Sequence, residues 1–188
     1  PFNFSRLYNR AIAMVDEELV LMLNNDIEIK EPAWLKSMLQ HVYRDGIGAV
    51  GCRLVRRDFS IQHASMCFKP TIFSCAMNLF FEEEYYTKVQ REVSGVTAAC
   101  MLMRKSVFNE IGGFDEVNFP IGFSDADLCL RILTAGYKII YTPFAELYHH
   151  ESVSRKTHEE SYELYNLFKK YVGDTKLIDP HYHTMFSG

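Results

Sequence analysis

In LMLNNDIEI, residues 21–29, an apolar run stops at Asn24, Asn25 and Asp26 before apolar character returns at Ile27. A carboxylate just past a buried strand lies where open α/β sheets collect their ligands. The same three residues also suit a plain turn, because Asn and Asp hydrogen-bond their own backbone there. A second acidic pair, Asp125 and Asp127 in GFSDADLCLR, opens a helical run. Capping and the helix dipole both favour acids in a first turn. The two point to different faces of that helix, so one is available to brace the structure while the other, taken here as Asp125, meets a ligand. A third polar group, AELYHHESVSR, sets His149, His150, Glu151 and Arg155 just beyond another apolar run. One histidine alone is more often structural than a ligand. Three polar groups from separate segments, each expected at a strand-end rim, favour a shared site.

The elements that must position these groups alternate along the chain. PFNFSRLYNRAIAMV reads as a helix, with Phe4, Leu7, Tyr8 and Ile12 on one face and Asn3 or Ser5 as its cap. Residues 19–23 form a strand. Pro32 opens a helix to Val42, with Trp34, Leu35, Met38, Leu39 and Val42 at helical spacing. DGIGAVGCRLV reads as a turn and a strand. Residues 56–91 carry no clear period: one or two short strands fit the first half, Pro70 argues against a central one, and FFEEEYYTKVQRE suits a polar loop or short helix. VSGVTAACMLM, residues 93–103, reads as one strand, and RKSVFNEIGGFDE as a short helix closed by Gly112 or Gly113. A helix over 126–135 stops at Gly136, and a strand over 137–141 stops at Pro143. Residues 154–172 read as an amphipathic helix anchored by Tyr162, Tyr165, Leu167 or Phe168, and Tyr171. This alternation predicts an α/β sandwich around a mostly parallel sheet, in one domain over 1–188 with a C-terminal helix and tail over 154–188.

Bulk properties narrow the function classes. The 188 residues are 48% hydrophobic and 23% charged, with a formal net charge of -4. That is an ordinary globular composition, and it supplies no basic field to gather nucleic acid. The five cysteines lie mostly in apolar stretches without CxxC spacing. They read as reduced, buried thiols of a cytoplasmic protein. The apolar runs fall well short of the roughly 18 residues a membrane span needs.

VLMLNND, IQHAS, SGVTAACMLMRKSVFNEIGGFDE, SDADLCLR and GYKIIYTPFAELYHHESVSR, in this order and spacing, resemble the inverting GT-A glycosyltransferases of family 2. That group contains many bacterial rhamnosyl- and other polysaccharide-building transferases. The resemblance runs from Pro1 to Arg155 and implies a GT-A α/β/α sandwich. It places the DxD element on Asn24, Asn25 and Asp26, with Asp26 and His149 as ligands of a divalent cation, Mn or Mg, and His150 as the alternative to His149. It implies Asp125 as general base, and Arg155 in a loop over the donor diphosphate. Asn24 stands where the family pattern is acidic, and Ser124 where an acidic or amide residue is common. Gln62 and His63 match a family segment and read as mainly structural. Asn3 and Asn9 would border the site, and Gly95 reads either as a close approach to a sugar or as tight packing.

The implied partners are a nucleotide-sugar donor and a glycan or lipid-linked acceptor of cell-envelope polysaccharide synthesis. The implied place is the cytoplasm, with room for peripheral association at the inner face of the membrane. Family members carry strands and helices before the DxD strand, whereas one helix precedes it here, so the expectation is the C-terminal part of a GT-A catalytic domain lacking the first strands. Competing readings are a metal-dependent phosphoester hydrolase using the same residues, and a non-catalytic module that keeps the fold.

Overall fold

The computed structural model describes residues 2–68, 77–78, 85–150, 160–171, 179 and 181. Helix α1 (Phe4–Ala13) begins where the Asn3 side chain accepts the Arg6 N–H at 2.7 Å. Then come β1 (Leu19–Leu23), β2 (Ile27–Ile29), α2 (Trp34–Val42), β3 (Ile47–Val55), β4 (Ile61–His63), β5 (Met66–Cys67) and β6 (Met77–Asn78). A 3-10 helix (Tyr85–Lys88) precedes the remaining elements, β7 (Arg91–Val93), β8 (Cys100–Arg104), α3 (Lys105–Glu110), α4 (Ser124–Thr134), β9 (Lys138–His149) and α5 (Glu160–Tyr171). Gly112 and Gly113 both take positive φ, 82° and 66°, after α3, as its expected closure requires.

Seven strands form one sheet in the order β1-β8-β3-β9-β2, with β4 added on β3 and β7 on β9; β5 and β6 pair separately. The expected mixed α/β architecture is present, but its balance differs from a mostly parallel sheet. Among the described strands only β3 and β9 run parallel, and the other pairings are antiparallel. Apolar periodicity tells which side chains are buried and says nothing of strand direction.

The sheet separates two apolar cores. One face packs Ile12 of α1, Val107 and Phe108 of α3, Leu128 and Ile132 of α4 and Leu167 of α5 against Ala49, Met101, Met103, Ile139 and Tyr141. The other packs Trp34, Met38 and Val42 of α2 against Val50, Leu54, Leu102, Ile140 and Leu147. Leu7 lies outside the first core at 55% exposure, and Ser5 is buried instead, its hydroxyl donating to the Phe119 carbonyl. In α5, Tyr162 and Tyr165 are exposed, and Leu167 is the fully buried anchor.

Two strands depart from the sequence expectation in ways that matter for the site. The strand expected over 93–103 is divided: β7 ends at Val93, β8 begins at Cys100, and residues 94–99 form a buried loop. The strand expected to stop at Pro143 instead continues to His149. Its register with β3 jumps from Cys52 opposite Thr142 to Arg53 opposite Glu146, leaving Pro143, Phe144 and Ala145 in the bulge. Proline has no N–H to give to a ladder, so an irregularity is where a paired strand accommodates it. Cys52, Cys67, Cys100 and Cys129 are free and buried, and Cys75 lies outside the described residues. Burial pushes the Cys67 thiol up to about 12, which leaves it protonated and unreactive at neutral pH. Among the described residues no helix is long and apolar enough to cross a membrane.

Candidate active site

The turn after β1 is built from its polar residues. The Asn24 N–H donates to the Ala99 carbonyl at 2.9 Å, and the Ile27 N–H returns to the Asn24 carbonyl at 3.3 Å. Asn25 is exposed at the turn, and Asn24 and Asp26 are half-buried. Strand β2 then pairs with the end of β9, Ile27 opposite His149, and the His150 N–H donates to the Asp26 carbonyl at 3.0 Å. This ladder brings His149 Nε2 to 3.3 Å from Asp26 Oδ1, with the imidazole 9% and the carboxylate 19% exposed. His150 faces elsewhere, its Nε2 at 2.9 Å from Glu28 Oε2. Of the two histidines, only His149 has its ring against Asp26 in the contacts described here. A half-buried carboxylate beside an imidazole suits a hard or borderline divalent cation that keeps further oxygen ligands from water or phosphate. Among the described residues no third His, Cys, Asp or Glu joins them.

Helix α4 carries the second acidic pair. Asp127 is fully buried: its Oδ2 meets the Arg131 guanidinium at 2.8 Å, and its Oδ1 accepts from Lys170 at 2.7 Å and from the Tyr171 hydroxyl at 2.6 Å. Burial, and next the Asp127 charge, push the Tyr171 hydroxyl well above its ordinary range, so it remains a donor. Asp125 is half-buried; its Oδ2 accepts the Ala98 N–H at 3.2 Å and its Oδ1 the Ala126 N–H at 2.9 Å. Asp127 is thus the brace, as one of the pair was expected to be. The turn leading into α4 is constrained too. Phe123 takes a left-handed φ of 52°, a costly conformation for an aromatic residue. Upstream of it the buried Glu163 of α5 accepts the N–H groups of Ile121, at 3.0 Å, and Gly122.

The loop over 94–99 joins these parts. Ser94 donates to Asp179, the Gly95 carbonyl accepts from Met66 at 2.7 Å, and the Val96 N–H meets Cys129 Sγ at 3.4 Å. The Thr97 N–H donates to His63 Nε2 at 3.1 Å and the Ala98 N–H to Asp125, while the Ala99 carbonyl accepts from Asn24. A buried loop must satisfy its backbone somewhere, and this one does so on separate segments of the chain. Consecutive residues, Ala98 and Ala99, are therefore bonded to Asp125 on one side and to the Asn24–Asp26 turn on the other. The sequence reading took this segment as strand and so missed the loop. Its signal was the run of small residues, SGVTAA.

Other expected residues fall differently. A Cβ on Gly95 would lie 3.1 Å from Phe68 and 3.2 Å from Met66, which identifies packing as the reason for glycine there. Asn9 is occupied by Phe114, through its carbonyl and its N–H, and by Glu116. Arg155 and Glu151 lie outside the described residues.

A model of the family described as "Glycosyltransferase like family 2" matches residues 4–169. The chain belongs to glycosyltransferase family 2. Over 177 residues this family 2 chain is 38% identical to the uncharacterized protein y4gI of Sinorhizobium fredii, covering 92% of the chain and 19% of that relative. Over 193 residues it is 34% identical to the O-antigen biosynthesis protein RfbC of Myxococcus xanthus, covering 97% of the chain and 15% of that relative. It thus spans less than a fifth of the length of either. Among solved structures, GalNAc-T7 with UDP, GalNAc and Mn2+ superposes with a TM-score of 0.64 at 9% identity, over 81% of this chain and 31% of that one. The fold shared with such neighbours is that of the GT-A glycosyltransferases.

Proposed function

We propose that the protein carrying these residues transfers a sugar from a nucleoside-diphosphate donor to a hydroxyl of a glycan or lipid-linked acceptor, with inversion at the anomeric carbon. One observation carries the reading: the Ala98–Ala99 step is bonded both to Asp125 and to the turn that presents Asp26 beside His149. Family membership, a relative named for O-antigen biosynthesis and a fold neighbour solved with UDP and Mn2+ agree with it. Four free, buried cysteines fit a reducing compartment.

Asp26 and His149 are the residues that would hold a divalent cation, with the remaining positions left to water and the donor's phosphate oxygens. Such a cation, when bound, would supply positive charge against a departing diphosphate. Strand β2, laddered to β9, gives Asp26 a rigid mount, as accurate placement of a ligand requires. Asp125 has both oxygens oriented by backbone N–H groups, from Ala98 and Ala126. Its carboxylate takes the proton of the acceptor hydroxyl during attack. That attack comes from the face opposite the leaving group, and a single displacement inverts the centre.

The roles separate on binding. Asp26→Ala is expected to weaken Mn2+-dependent binding of UDP, GDP or dTDP at least about tenfold by calorimetry, because it removes a ligand of the cation. Asp125→Asn is expected to leave that binding unchanged. Equal losses from the two variants would contradict the assignment. Mn2+-dependent hydrolysis of p-nitrophenyl phosphate without any turnover of nucleotide sugars would make the site a phosphoesterase instead.

A further inference from the structure

We propose that His63 is a positioning residue for the reaction: through the Thr97 amide it fixes the peptide whose neighbouring N–H holds Asp125. The inference rests on the transferase reading above for its catalytic meaning, and on geometry for its mechanism.

His63 is 1% exposed and sits at the end of β4, opposite Leu54 of β3. Its Nε2 lies 3.1 Å from the Thr97 nitrogen. A backbone N–H only donates, so Nε2 is the acceptor and the neutral ring carries its proton on Nδ1. The next N–H along the chain, that of Ala98, donates to Asp125 Oδ2 at 3.2 Å. Thr97 Oγ1 accepts the Ala99 N–H at 3.2 Å, and the Ala99 carbonyl accepts from Asn24.

Two consecutive N–H groups are thus aimed at two different acceptors, which sets both dihedrals of Thr97. Without its partner on His63, the Val96–Thr97 peptide keeps the weak Cys129 thiol donor on the Val96 carbonyl, at 3.4 Å, and loses its stronger anchor, so it can turn and carry the Ala98 N–H off the carboxylate. Apolar packing does not replace this constraint. A Cβ on Gly51 would come within 2.4 Å of Val96, so the loop is pressed closely onto β3, but such contact leaves the direction of the Thr97 N–H undetermined. A buried imidazole on a laddered strand supplies an acceptor at the reach that the Thr97 N–H requires.

Two polar replacements test this, because Gln reaches about as far as Nε2 and Asn falls short. In His63→Asn the 13C resonance of the Asp125 carboxyl should move from its position in the unsubstituted protein, since the carboxylate loses an N–H donor. The Thr97 and Ala98 amides should exchange at least about tenfold faster. Nucleoside diphosphate release from a mixture of UDP-, GDP- and dTDP-sugars should fall about tenfold or more in kcat, with donor KM within about twofold. His63→Gln should recover most of all three. Equal behaviour of Asn and Gln, or an unshifted Asp125, overturns the proposal. So does 15N NMR of the unsubstituted protein placing the imidazole proton on Nε2, a measurement that needs no variant to fold. If the unsubstituted protein releases no nucleoside diphosphate from the mixture, the transferase reading fails, while the Asp125 carboxyl resonance and the amide exchange still decide whether His63 positions it.

Discussion

Asp125 and Asp127 share the first turn of α4 and differ in what reaches them. Asp127 points into protein: Arg131 of its own helix, and Lys170 and Tyr171 of α5, surround it, and no solvent touches it. Asp125 points to the loop over 94–99 and is oriented by two backbone N–H groups, with no cation bonded to it among the described contacts. A buried carboxylate surrounded by cations holds elements together and has nothing left for chemistry. One oriented by amides keeps a defined direction and the capacity to accept a proton. The same residue type, two positions apart, is buried among cations in one case and held by backbone amides in the other.

The contrast breaks most visibly at Asp125. Asp125→Asn should lower turnover by about 10²–10⁴-fold while costing only about 1 kcal/mol of stability, since a side-chain amide keeps the shape, loses the basic oxygen and leaves one of the two N–H groups without its acceptor. A loss of stability as large as that expected from Asp127→Ala would make Asp125 a brace like its neighbour. Next in size is Asp127→Ala, which leaves Arg131 and Lys170 without their buried partner. It should cost about 3 kcal/mol in urea unfolding, the low end for a broken buried pair because both cations are partly exposed. A variant of ordinary stability with lost activity would reverse the two roles. The smallest effect is expected from Tyr171→Phe, which removes one hydrogen bond to Asp127 and should cost about 1 kcal/mol. Its sign with pH sharpens the comparison. Tyr171 titrates above its unfolded value, so its contribution is complete below the ordinary tyrosine range, near pH 10, and erodes as pH rises beyond it. The gap between the unsubstituted protein and Tyr171→Phe should therefore be constant from pH 6 to 9 and narrow above about pH 10. A gap that changes near neutrality would mean another group titrates there.

The candidate residues were legible to different degrees. Asp26 and His149 were singled out because each follows an apolar run in the sequence, and the ladder of β2 on β9 is what joins them. Asp125 was readable as one of two, from its place at a helix start. The loop over 94–99 was not readable. Glycine, threonine and alanines between apolar runs look like strand, and the partners that make them a loop sit at Asn24, His63, Met66, Asp125, Cys129 and Asp179. Pro143 misled for a related reason: a proline stops a strand only when no bulge absorbs it, and that bulge exists in the pairing with β3.

The sequence by itself determined what is local: where helices start and stop, which side chains are apolar, and that carboxylates and imidazoles follow strands or open a helix. Capping, periodicity and turn chemistry act over a few residues, and a short window contains them. Only the tertiary structure decided which of two aspartates is buried, which of two histidines faces Asp26, and that a run of small residues is a loop bonded both to Asp125 and to the Asn24–Asp26 turn. Each of those choices depends on hydrogen-bond partners far along the chain, and they become neighbours only once the sheet is assembled.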